Sequence, residues 1–290
     1  MASSIRALAA LLAAALLAAA RPAAAEPAIW VVRDADSTIV LFGSVHVLPS
    51  GVDWRPAALD AALAAADDIW FEAPMGPEGR RRAAEAAGAR GYLPAGVGLS
   101  ALLSADGRAR LQRVCELLRL APSEVERLAP WYADLTLGLA ALARQGAVVD
   151  TGVEQVLAAA APAARQRAFE TPEAAIEALA RVPLAEQVAG LEDSLRQLED
   201  DPGFYTRLIE AWRDGEVKAI EDLGLAPMRA VSLTAYRALI VERNARWTAA
   251  LLERLEGSGE TVVVVGAGHL VGPDSIPAML RARGVTVEGP

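Results

Sequence analysis

Past residue 25 the chain opens with short apolar bursts and then changes to longer helical repeats. Ala28 to Val32 and Thr38 to Phe42 flank Asp34-Ala35-Asp36-Ser37, a pattern that predicts two strands joined by a tight turn. Trp54 to Ala66 follows as a helix, with Pro56 near its start, where a missing N–H does no harm. Ile69-Trp70-Phe71-Glu72 is a short strand stopped by Ala73-Pro74, and Glu78 to Arg90 is a charged, alanine-rich helix. The middle of the chain reads as helices over 106–118, 123–128, 131–145 and 152–160, punctuated by Pro122, Pro130 and Pro162. A strand over 165–170 ends at Thr171-Pro172. Helices return over 173–180, 184–199, 204–213 and 233–256. Thr261 to Val265, a run of four valines after one threonine, is the plainest buried strand. A helix over 275–283 and a closing strand over 285–287 complete the chain. The class expected is α/β: a duplicated unit with a largely parallel central sheet flanked by helices, plus a helical insertion at about 100–160.

Ahead of this pattern stand Arg6, an apolar stretch from Ala7 to Ala20, and the small residues Ala23-Ala24-Ala25. That is the layout of a secretory signal peptide over 1–25, with the domain proper over 26–290 and a periplasmic or secreted destination. The apolar stretch is shorter than the roughly 20 residues that cross a bilayer, so no stable membrane span is expected. Losing Arg6 and Arg21 makes the net charge of -9 more negative still, which disfavours nucleic acid as a partner. The single cysteine, Cys115, lies in an apolar-periodic stretch and is expected to be a buried thiol.

The chain has two histidines, and both follow the same context. Ile39-Val40-Leu41-Phe42-Gly43-Ser44-Val45-His46 and Val262-Val263-Val264-Val265-Gly266-Ala267-Gly268-His269 each run from an apolar strand into Gly-x-x-His. A lone histidine in that position is ordinarily structural; a matched pair points to function. A second pair also matches, Phe71-Glu72-Ala73-Pro74 and Phe169-Glu170-Thr171-Pro172. The two pairs suggest a duplication in which each half supplies one strand-end histidine and one strand-end glutamate. Ligands of open parallel sheets bind beyond the carboxyl ends of the strands, where all four would lie. His46, His269, Glu72 and Glu170 would there form an N/O donor set suited to Mn, Co, Zn or Fe(II). A metal in such a site activates water for hydrolysis. Strand-end glutamates also cap helices, so spacing alone leaves their meeting open.

These motifs resemble the TraB/GumN family, related to the Tiki-type metalloproteases. The resemblance rests on Leu41 to Pro49, Phe71-Glu72, Pro130-Trp131, Phe169-Glu170-Thr171, Arg243-Asn244 with Trp247, and Val265-Gly266-Ala267-Gly268-His269-Leu270-Val271-Gly272. It implies an active-site core of both histidines and a glutamate, Mn or Co ahead of Zn or Fe, and peptide or protein substrates. It also implies a fold shared with erythromycin esterase and ChaN-like proteins. His46, Glu72 and His269 match best, then Glu170 and Arg243. Tiki-type proteases are membrane-tethered, whereas this chain reads as free of the membrane.

The function expected is an exported metal-dependent hydrolase, a peptidase first. A glutamate, Glu72 or Glu170, would take the proton and Arg243 would steady an oxyanion. The competing expectations are a non-catalytic haem- or iron-binding protein of ChaN-like type and a degenerate scaffold. Arg243 would alternatively pair a helix to the sheet. Trp131 and Trp247 are expected in the core, and Tyr132 is a minor candidate for a transition-state hydrogen bond.

Overall fold

The structure is a computed structural model that describes residues 25–290; apart from Ala25, the leader expected over 1–25 lies outside the described residues. Strands β1 (Ile29–Arg33) and β2 (Ser37–Ser44) form the antiparallel hairpin read from the sequence. Asp34 fixes its turn by accepting the N–H groups of Asp36 (3.1 Å) and Ser37 (2.7 Å). The other strands are β3 (Leu48–Pro49), β4 (Asp68–Phe71), β5 (Ala147–Val148), β6 (Gln166–Ala168), β7 (Gly259–Gly266) and β8 (Val287–Glu288). Six of them form one sheet in the order β6-β4-β7-β2-β1-β8. The β6, β4, β7 and β2 ladders are parallel; β1 runs antiparallel to both of its neighbours. The α/β class with a mostly parallel sheet flanked by helices is therefore observed.

Continuous apolar runs become central strands because helices cover both faces of a parallel sheet. Val262 to Val265 are each at most 1% exposed, and β7 sits between β4 and β2. The sheet core gathers Leu41, Phe42, Ile69, Phe71, Trp247 and Leu251 around these valines. A second core joins the helices Ala105–Leu118, Pro130–Arg144 and Leu184–Asp200 through Leu111, Val114, Cys115, Leu137, Leu191 and Leu195. Cys115 is a buried free thiol and Trp131 is buried, as expected. Val153 and Leu157, at the end of the stretch read as a helical insertion, belong instead to the sheet core.

Three local features escape the sequence reading. The segment 217–231 is helical, with a π-helical turn at Glu221–Leu225. The helix expected over 233–256 contains a second π-helical turn, Arg237–Val241, before its main part, Glu242–Leu255. π-turns recur at functional sites, and this one ends two residues before Arg243. Finally, β3 pairs antiparallel with β5, and the Val153 N–H donates to the Val45 carbonyl (3.0 Å). These contacts bring the helix Val153–Ala160 against the segment carrying His46.

Candidate active site at the sheet edge

Parallel strands present all their carboxyl ends at one edge, and each histidine and glutamate candidate follows such an end. His46 comes two residues after β2, Glu72 one after β4, Glu170 two after β6, and His269 closes the 3₁₀ turn Ala267–His269 after β7. The ladder between β4 and β6 extends past its named ends through Phe169 N–H to Phe71 O (3.0 Å) and Glu170 N–H to Glu72 O (2.9 Å). Both motif glycines sit where a side chain would be tight. A Cβ on Gly43 would lie 3.1 Å from Ala267 Cα, so glycine lets the second turn pack closely on β2. A Cβ on Gly266 would stand 3.1 Å from Glu72 Oε1, 3.6 Å from His269 Cδ2 and 3.8 Å from His46 Nε2. Three of the four expected groups therefore face one small space over Gly266.

The two histidines are held in unlike environments. His269 is buried, and its Nδ1 lies 2.6 Å from Asn244 Oδ1. Asn244 Nδ2 donates to the carbonyls of Asp274 (2.8 Å) and His269 (3.4 Å), which turns its oxygen toward the ring and makes Nδ1 the protonated nitrogen. Burial, assisted by Arg243 and His46, pushes His269 down to about 4 against the attraction of Glu72. It is neutral at pH 7, and Arg243 Nη1 donates to its bare Nε2 at 3.2 Å.

His46 points the other way. Its Nδ1 is 2.6 Å from Glu154 Oε1, which also accepts the Ser44 hydroxyl at 2.5 Å. The Glu154 carboxylate draws His46 up to about 9 against the cost of burial. The imidazole side chain is 67% exposed, so water weakens that attraction, whereas Glu154 is 2% exposed. Burial opposes ionising Glu154, but His46 and Ser44 outweigh it and its pKa is lowered. The sequence reading missed Glu154. Its one signal was that it is the only charged residue in the apolar helix Val153–Ala160.

Arg243 occupies the middle of the cluster. Nη2 donates to Glu72 Oε2 (2.6 Å) and Glu170 Oε1 (2.7 Å), Nε to the same Glu170 Oε1 (3.1 Å), and Nη1 also reaches the Leu239 carbonyl (3.3 Å). Its guanidinium lies 4.5 Å over the Trp247 ring, itself packed between Phe169 and His269. Burial alone would raise the Glu72 carboxyl, but His269, Arg243, His46 and the Gly266 N–H (2.7 Å) together hold it at about 2. Because His269 is neutral above about 4, Arg243 is the buried charge that keeps Glu72 ionised at neutral pH. Glu170 stands behind Arg243 and away from Gly266. Its Oε2 is buried without a hydrogen-bond partner, with Arg246 Nη2 3.7 Å away.

As the side chains lie, no three His, Cys, Asp or Glu residues among the described residues are disposed to hold a metal ion. Tyr132 packs on Trp131 and Tyr92 in the helical core, apart from this cluster. No helix among the described residues is long and apolar enough to cross a membrane.

Comparison with known proteins agrees with this arrangement of motifs. The chain is 25% identical over 242 residues to YbaP of Escherichia coli (strain K12), covering 83% of this chain and 87% of that protein. The Shigella flexneri YbaP matches to the same extent. No solved structure matches the chain significantly. The profile of the TraB/PrgY/gumN family matches residues 28–289, and that span, which takes in both histidine motifs and both Phe-Glu pairs, makes the chain a member of that family.

Proposed function

We propose that this protein is a hydrolase of peptide-class carbonyl substrates that works with a divalent metal held by His46, Glu72 and His269. The observation that carries the reading is the convergence of Glu72 Oε1, His46 Nε2 and the His269 ring on the space over Gly266. The donor chemistry fits a metal. Each imidazole has its Nδ1 engaged, by Glu154 or Asn244, so Nε2 is the nitrogen each would offer a metal, the orienting arrangement common to metal-binding histidines; on His269 that nitrogen now accepts from Arg243 Nη1. Two nitrogens and a carboxylate suit Mn, Co, Zn or Fe(II). When bound, such a metal supplies Lewis acidity and lowers the pKa of water.

The chain's own groups do the rest. Glu154 fixes the tautomer and direction of His46, the one member of the trio open to solvent and so the side from which substrate arrives. Glu72 faces the same space as an ionised carboxylate, placed to ligate or to accept a proton. Glu170 serves as the buttress of Arg243. Export through the leader over 1–25 belongs to the same proposal, and mass spectrometry of the mature N-terminus tests it: retention of Met1 in exported protein would refute it.

A second reading, a scaffold in which the ion cluster only ties the helix Glu242–Leu255 to the sheet, draws on the Arg243 contact with His269 Nε2. Metal content separates the two. Protein purified without chelators should carry Mn or Co, or take up either on reconstitution, and the His46→Ala, His269→Ala double variant should not. Bound metal would justify a peptide-library screen in that metal. No metal in the parent protein after reconstitution would leave the scaffold.

A further inference from the structure

The Arg243–Glu170 pair is incomplete in one respect. An arginine fork ordinarily meets a carboxylate with two parallel hydrogen bonds to two oxygens. Here Nε (3.1 Å) and Nη2 (2.7 Å) both fall on Oε1, while Oε2 is buried without a hydrogen-bond partner. Buried carboxylate oxygens without partners are uncommon and call for an explanation. Nη2 is held on Oε1 by its second bond, to Glu72 Oε2 at 2.6 Å, and Nη1 is shared between His269 Nε2 and the Leu239 carbonyl. A second arrangement therefore has its acceptors in place: Glu170 Oε2 is the unused oxygen of the carboxylate that Nη2 and Nε already contact, and Leu239 O already lies 3.3 Å from Nη1.

We infer that Arg243 has two seats, one bridging Glu72, His269 and Glu170, the other bidentate on Glu170, and that it competes with a divalent cation for the first. The inference rests on the metal reading above. In the first seat the guanidinium neutralises Glu72 and covers the lone pair of His269 Nε2. In the second seat it frees both groups, satisfies Glu170 Oε2 and keeps Nη1 on the carbonyl of the π-helical turn Arg237–Val241. Glu170 then acts on the metal through Arg243, as the residue that draws the competing cation aside.

Isothermal titration with MnCl2 tests this without any substrate. Arg243→Met removes the competitor and should bind Mn2+ at least tenfold more tightly than the parent chain. Glu170→Gln weakens the second seat and should bind it at least tenfold more weakly. In the double variant, with no guanidinium to draw aside, Glu170→Gln should change the affinity of Arg243→Met by less than threefold. Circular dichroism and melting curves confirm that each variant is folded, and Mn2+ should raise the melting temperature of Arg243→Met more than that of the parent. Unchanged or weaker binding by a folded Arg243→Met overturns the inference while leaving the metal reading intact. A Glu170→Gln loss that persists in the double variant makes Glu170 a direct ligand and overturns it equally. If neither the parent nor any variant binds Mn2+, the metal reading falls and this inference falls with it.

Discussion

Two histidines in 290 residues make the site open to a clean spectroscopic test. Nuclear magnetic resonance of metal-stripped protein should give two imidazoles that titrate far apart, His46 near 9 and His269 near 4. The perturbation is Glu154→Gln, which keeps the shape of the side chain and its contact with Ser44 but removes the charge 2.6 Å from His46 Nδ1. Attraction to Glu154 is the largest influence on His46, so the variant should bring its midpoint down from about 9 toward the unperturbed value, roughly 6.5. His269, held by Asn244 and burial, should stay where it is.

The same substitution has a stability signature whose sign follows from linkage. A histidine whose folded pKa is raised stabilises the fold fully below its unfolded value and loses that contribution as pH rises through the folded one. The advantage of wild type over Glu154→Gln should therefore be greatest below about pH 6.5 and shrink up to about pH 9. With the imidazole largely exposed, screening keeps the effect on the order of 1 kcal/mol. Urea melts at pH 6 and pH 9 would measure it. The reasoning is refuted if His46 titrates in the variant within half a unit of wild type, or if the stability difference grows across that window.

Three further outcomes follow from other residues. Burial pushes the Asp134 carboxyl up to about 6 against a Ser194 hydrogen bond, so stability should fall as pH rises from about 4 to 6. Asp134→Asn should gain about 2 kcal/mol at pH 7.5 and lose that dependence, as urea melts at the two ends of the window would record. Gly266→Ala keeps an ordinary backbone, with φ at -49°, but puts a methyl 3.1 Å from Glu72 Oε1. Its Mn2+ affinity by titration calorimetry should drop at least on the order of tenfold, with little change in melting temperature. Trp247→Ala empties a fully buried ring site between Phe169 and His269 and should cost ~3–5 kcal/mol in chemical denaturation.

How much of this was legible in the sequence follows from what a local pattern can encode. An apolar run that ends in glycine specifies a buried strand and the place where it stops, and parallel strands share one exit edge. His46, Glu72, Glu170 and His269 could therefore be assigned to one edge from the sequence alone. Glu154 could not, because an acid in the first turn of a helix is ordinary. Only the β3–β5 pairing and the Val153 to Val45 hydrogen bond carry it across more than a hundred residues of sequence to His46.

The two glutamates make the limit plain. Phe71-Glu72-Ala73-Pro74 and Phe169-Glu170-Thr171-Pro172 are near copies, yet one faces the space over Gly266 and the other stands behind Arg243. What separates them is lateral order: β4 lies against β7 and its histidine turn, while β6 lies one strand further out. That order is set by long-range strand pairing, which no window of sequence records. Arg243 then takes its place because, of the groups around it, only a guanidinium reaches two carboxylates on adjacent strands and an imidazole on the next. The identities of the site residues are thus local information, whereas their division into a trio around Gly266 and a partner of Arg243 belongs to the topology of the sheet.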